Sequence, residues 1–239
     1  MIPLALVAIG AVALASAVYL LTRSGTGWRV GRLLSAAPVT TLDEAIGLAR
    51  SGDRRYVRVH GRIASDEEFP DENDRPLVYR RQRLQVQAGH AWSDLSDERL
   101  AVPFGIEDRQ SFLGIDVDAL GEGLIVVPRV ATGTAAELPP GTLTGPVAPP
   151  PGAVVRLRID QVSAVEHASA AGVPVLAATG GPQLTAGAGR PLIVTTLEPS
   201  AAMRVLAAGQ RSQIVLAAVL LVAGLGLLAA SAVAWLVGL

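Results

Sequence analysis

The sequence predicts a membrane-anchored α+β protein, mostly β, in which two terminal transmembrane helices flank a β-barrel or sandwich-like domain. Three observations predict it. The 239-residue chain begins and ends in apolar runs, 2–21 and 214–239, and neither holds a charged side chain. Each run is close to the ~20 residues that a helix needs to cross the hydrocarbon core of a bilayer. Between them lie eight short segments of strand character, separated by glycine, proline and aspartate at the spacing of a sandwich or barrel.

The first run lacks the basic n-region of a signal peptide and continues through Tyr19, Leu20 and Leu21 with no cleavage site, so it is expected to be an uncleaved anchor. Residues 22–52 read as a juxtamembrane linker and a short helix. GTGWRVG at 25–31 follows an apolar run rather than a parallel strand, which makes it a flexible linker and not a dinucleotide loop. In 41–51, Thr41 and Glu44 have capping-box spacing, Leu42, Ala45, Ile46 and Ala49 share one side, and Gly52 ends the helix.

Residues 53–198 form the expected β-rich domain. In 56–63 the alternation puts Val57, Val59, Gly61 and Ile63 on one face and Arg58, His60 and Arg62 on the other. The remaining strand candidates are 77–87, 100–107, 112–117, 124–130, 154–163, 173–178 and 192–197. The stretch 131–152, ATGTAAELPPGTLTGPVAPPPG, carries too much proline, glycine and threonine to pack and reads either as a linker dividing the domain into two lobes or as a long loop within one β domain. A short helix over 199–209 then leads into the second apolar run.

Arg23, Arg29 and Arg32 follow the first run, and Arg204 and Arg211 precede the second. By the positive-inside rule the domain faces the cytoplasm, both termini lie outside, and the chain is a multi-pass protein of the cell's inner membrane. Ala11 and Ala15 on the first helix, and Gly226, Ala230 and Ala234 on the second, recur every four residues. Such stripes let helix backbones approach, within one chain or between copies in a homo-oligomer.

Composition excludes several chemistries. The chain has no cysteine, and all 20 of its basic residues are arginine. Disulfides, thiolate catalysis, iron–sulfur clusters and cysteine-built zinc sites are therefore absent, as are a P-loop lysine and a Schiff base. Acidic residues number 21 against those 20, a balance that gives no nucleic-acid footprint.

The order of certain segments carries a family resemblance. VRVHGRI, then RPLVYRRQRLQV, Trp92, VPFGIEDRQSFLGIDV, and finally AGVPVLAATG and PLIVTTLEPSAAM running into an apolar helix together resemble the GIDE, or beside-a-membrane, domain. That domain lies between two spanning helices in a mitochondrial-type E3 ubiquitin ligase and in prokaryotic relatives. The resemblance implies a β module that binds a partner beside the bilayer. Ligase activity is not implied, because a RING needs cysteine and histidine ligands for its zinc ions. Leu77 stands where relatives commonly have cysteine, which removes any thiol-dependent property.

Candidate sites follow from charge. Arg58, His60, Arg62, Arg156 and Arg158 fall on the outward phases of two expected strands, as a surface for anionic lipid or an acidic partner. The loop DEEFPDEND at 66–74 lacks the ligand pattern of an EF-hand and reads as a solvated turn facing Arg80, Arg81 and Arg83, with Phe69 at its tip. His60, His90 and His167 have no metal-ligand spacing, and His90 with Ser93 and Asp94 sits in no nucleophile motif. No catalytic residue, cofactor or metal is expected. The chain reads as a non-enzymatic binding or scaffold module whose partners are the bilayer and a membrane-associated protein. An accessory of a membrane enzyme, either a protease regulator or a ligand carrier like barrel-type haem chaperones, and a simple lipid-binding spacer are the alternatives.

Overall fold

The structure, a computed structural model, describes residues 2–89, 91–109, 111–138, 149–198, 201, 202, 205 and 211–236, without the side chains of 2–6, 21–29, 211–214, 234 and 236. It divides into two compact units, one holding both terminal helices and the other the residues Leu34–Glu198.

In the helical unit, α1 (Ile2–Ala36) is one continuous helix. The expected linker at 25–31 is thus helical, an override of the weak helix propensity of three glycines and a threonine. The C-terminal helix runs over Arg211–Leu236. Its stretch Val215–Val233 is long and apolar enough to cross a membrane, and Val7–Leu20 of α1 is a shorter apolar stretch. The two helices touch at glycines: a Cβ on Gly10 would lie 3.1 Å from the Gly224 carbonyl oxygen, and one on Gly224 would lie 2.8 Å from Leu14 Cγ. Ala17, Ala217 and Ser231 are buried with them. The spacing of seven through Gly10 and Ala17, and through Ala217, Gly224 and Ser231, is that of a coiled-coil seam rather than the expected repeat of four. Of the short helix expected at 199–209, Ala201, Ala202 and Val205 are helical and the rest falls outside the described residues.

In the second unit, α2 (Leu42–Ser51) carries the expected capping box, with Thr41 Oγ1 accepting from the Glu44 amide and Glu44 Oε2 from the Thr41 amide. The strands that follow are β1 (Val57–Ala64), β2 (Phe69–Pro70), β3 (Pro76–Ala88), β4 (Ala91–Ala101), β5 (Gly105–Asp108) and β6 (Ser111–Ile115). A one-turn helix α3 (Val117–Leu120) precedes β7 (Leu124–Ile125), β8 (Arg129–Thr134), β9 (Val154–Ser163), β10 (His167–Leu176), β11 (Pro182–Thr185) and β12 (Ile193–Thr195); the C-terminal helix is α4. The expected loop at 131–152 is corrected at its start, where 131–134 pair with β9 as part of β8 and Ala135–Glu137 form a 3-10 turn; 139–148 lie outside the described residues.

The strands make two sheets. One has the order β1-β5-β6-β11-β10-β12-β7, and because β1 also pairs with β10, its first five strands close a barrel-like ring. The alternation read in β1 holds: Val57, Val59, Gly61 and Ile63 are its buried positions. They meet Ile106, Leu113, Leu120, Ala170, Leu184 and Val194 in one hydrocarbon core, to which α2 adds Leu42 and Ala45. The other sheet has the order β2-β3-β9-β8, with β4 pairing on β3. Val78, Tyr79 and Val162 at one end of β3 and β9 enter the same core, which joins the sheets.

Candidate functional site

Arg58, His60 and Arg62 stand on β1 of the barrel-like sheet, whereas Arg156 and Arg158 stand on β9 of the five-stranded sheet. Strand periodicity places residues on a face, but which strands become neighbours is settled by long-range pairing. The expected single arginine surface is therefore split, and three of its members have partners within the fold. Arg58 Nη1 donates to the Leu34 carbonyl at 2.9 Å. Arg156 lies 4.2 Å above the Trp92 ring and donates from Nε and Nη2 to Gln85 Oε1. Arg158 pairs with Asp160 at 3.2 Å.

One face of the five-stranded sheet is a layer of ion pairs. Arg81 is buried and donates through Nε and Nη2 to Asp97, while its Nη1 reaches Glu122 at 2.6 Å. Arg83 binds Asp160 at 2.9 Å and Glu122 at 3.6 Å. The two hydrogen bonds from Arg81 hold the Asp97 carboxyl below its usual range, and Asp97 in turn holds the Arg81 guanidinium firmly protonated. Tyr79, on the same strand as Arg81, is fully buried with its hydroxyl unpaired and the Arg99 guanidinium 5.9 Å over its ring, and burial raises its pKa. The expectation that Arg80, Arg81 and Arg83 face the acidic loop is corrected here: Arg81 and Arg83 serve Asp97, Glu122 and Asp160, and Arg80 alone approaches that loop, 5.8 Å over the Phe69 ring. In the loop, Asp71 Oδ1 accepts from the Asn73 and Arg75 amides, and these bonds lower its pKa. Arg129 reaches Asp71 at 3.8 Å.

The remaining members of the expected surface, His60 and Arg62, acquire neighbours that the sequence did not point to. An open depression of about 370 Å³ on the outside of the ring is lined by His60, Gly61, Arg62, Glu107, Asp108, Arg109 and His167. The His60 and His167 rings stack at 6.1 Å with an interplanar angle of 25°. His60 Nδ1 lies 3.2 Å from Ser169 Oγ. Gly61 lets β5 lie close against β1 here, since a Cβ on it would sit 2.5 Å from the Glu107 carbonyl oxygen.

Among the described residues no group of three or more metal-ligating side chains converges. His90 lies outside the described residues, and Asp94 accepts from Gln85 Nε2 at 2.6 Å. Of the expected helix-packing residues, Ala11, Ala15, Gly226 and Ala230 are exposed, away from the Gly10–Gly224 seam, and the Ala234 side chain is outside the described set. Comparison of the chain with family models, with curated proteins and with solved structures gives no match.

Proposed function

We propose that this chain is a two-pass membrane protein whose GIDE-like β domain acts as a non-enzymatic binding module beside the bilayer, docking a membrane-associated protein partner. The observation that carries the reading is the surface of the two helices. Away from their glycine seam they expose Val7, Ile9, Val12 and Val18 on α1 and Val215, Val219, Val222 and Leu225 on α4. A helix apolar on every side needs an apolar surrounding, and an uninterrupted surface of this kind exceeds what a soluble monomer leaves in water. Lipid supplies that surrounding. The arginines beside both apolar runs orient the domain to the cytoplasm of an inner membrane.

The absence of cysteine from the chain gives a clean test. Glu67→Cys places one thiol on an exposed position of the domain. We expect the variant to remain in the membrane pellet after alkaline carbonate, and to react with a membrane-impermeant maleimide only once the cells are opened. Release by carbonate would overturn the anchoring, and labelling of intact cells would overturn the orientation. For the docking role, purification of the full chain in mild detergent should recover a protein that is lost when the exposed Asp66, Glu67 and Glu68 are replaced by alanine together with deletion of 139–148, changes that leave β2 and β8 in place. Recovery of the same proteins from both chains would refute it.

A further inference from the structure

Most arginines of the two sheets have a partner in the fold. Arg58, Arg81, Arg83, Arg129, Arg156 and Arg158 are engaged by carbonyl, carboxylate or amide oxygens, and Arg80 and Arg99 lie over the Phe69 and Tyr79 rings. Arg62 and Arg109, both lining the depression beside His60 and His167, make no ion pair within 4.0 Å and no side-chain hydrogen bond among the described residues. In the ladder Arg62 is opposite His167 on one side and Glu107 on the other, and His60 is opposite Ser169. Arg109 occupies the β5–β6 turn with φ +57°, a left-handed conformation that a non-glycine residue adopts at an energetic cost and that gathers at functional sites. Two guanidinium forks and two imidazoles thus border one opening. A planar fork with several N–H donors matches the edge of a tetrahedral oxyanion.

Charge decides when such a ligand is held. From β1 the depression is faced by His60 and Arg62, with the Arg58 guanidinium turned away to Leu34. From β10 it is faced by His167, which Glu166 precedes. From β5 and its turn come Glu107, Asp108 and Arg109, and Asp43 of α2, near the same turn, is hydrogen-bonded to Ser111 Oγ. With neutral imidazoles the carboxylates of Glu107 and Asp108 balance the two guanidiniums. With both imidazoles protonated the same opening carries an excess of two positive charges. We propose that this depression is a binding site for a phosphate-class oxyanion, formed by His60, Arg62, Arg109 and His167 and occupied when the two imidazoles are protonated. An oxyanion at this opening is attracted more strongly in that charge state than in the balanced one. The inference concerns the β domain alone and holds whether or not the helices are membrane spans.

Sulfate is the discriminating probe, because its charge does not change near the ordinary imidazole pKa of about 6.5, so any pH dependence belongs to the protein. Titration of the full chain in discs of neutral lipid, read by the imidazole resonances in NMR, should give saturable binding at about pH 5.5. At about pH 8 binding should be at least about tenfold weaker. Arg62→Gln should weaken it about tenfold, the scale of one charged hydrogen bond, and Arg158→Gln should leave it unchanged. His60→Gln with His167→Gln should abolish the pH dependence, and near-UV circular dichroism checks that this variant is folded. The source of the ligand is read by adding either inorganic phosphate to neutral discs or phosphatidic acid to the discs themselves: saturation by the first identifies a free anion, and saturation by the second alone a lipid headgroup. Absence of sulfate binding at about pH 5.5, or binding indifferent to Arg62→Gln and to pH, overturns the assignment.

Discussion

Where β1, β5, β6 and β10 turn inward they present Val59, Ile106, Leu113 and Ala170; one face of β3, β4 and β9 presents Arg81, Asp97 and Asp160 instead. The two sheets share strand geometry and sequence alternation, and they belong to one continuous unit. They differ in what holds their strands in register. Hydrocarbon packing rewards any arrangement that removes apolar area from water, so it stabilises broadly. An ion-pair layer rewards only the arrangement in which every buried charge meets its partner. The comparison teaches that the ring is where stability resides and that the ion layer selects one register of β3 against β4 and β9.

The largest effect tests the ring. Leu113 is fully buried, and Leu113→Ala should cost about 4 kcal/mol through lost transfer energy and a cavity, measured by urea titration of the full chain in mild detergent. The same loss in high salt would mark it as non-electrostatic. Next comes Asp160→Ala, which leaves the Arg83 side chain, 15% exposed, without its closest carboxylate. That loss should be about 3 kcal/mol and should shrink as salt screens the remaining charges. If it matched the Leu113 variant in salt independence, the distinction between the sheets would fail.

Smaller still is the effect expected at Glu122, whose side chain is 72% exposed although it bridges Arg81 and Arg83. Glu122→Gln should cost less than about 1 kcal/mol, as exposed pairs do. Titration of tyrosine sharpens the picture at the boundary of the core. Burial pushes the Tyr56 phenol up to about 12, and its hydroxyl donates to the Pro191 carbonyl at 2.8 Å. An unfolded tyrosine ionises near 10, so the contribution is complete below that pH and is lost as pH rises toward 12. Stability should fall over this window, and Tyr56→Phe should reduce the fall while costing about 1 kcal/mol near neutrality. Tyr79, also raised by burial, supplies the alkaline loss that remains.

How much of this was legible depends on whether the controlling interaction is local. The capping box of α2, the two faces of β1, and the extents of β3 and β9 were all visible in residue spacing. β4 was not: AWSDLSDERLA has the serines and charges that blunt an edge strand, and it pairs with β3 alone. The first half of β10, His167–Gly172, is made of small residues with no alternation to read, which is why His167 was not joined to His60. Arg109 lay in a turn where no periodicity exists. Arg156 and Arg158 were read on an outward phase of β9, but that phase runs on through buried Asp160 to Val162 in the core, and the assignment of β9 to a different sheet from β1 depends on pairing with β3 over some seventy residues of chain. The helical seam at Gly10 and Gly224 was missed because a repeat of four and a repeat of seven select different small residues from the same alanine-rich runs.

β10 hydrogen-bonds to β1, β11 and β12, and its pairing with β1 joins Val57 to Gly172, more than a hundred positions away. During translation, the ring therefore cannot close until most of the chain has left the ribosome. Contacts of such sequence separation slow folding, because a long loop must be closed before they reward it. Until then β1 and β5 present unpaired edges and uncovered aliphatic faces to every other nascent chain nearby, which makes the interval before β10 emerges the period in which this protein is most exposed to aggregation.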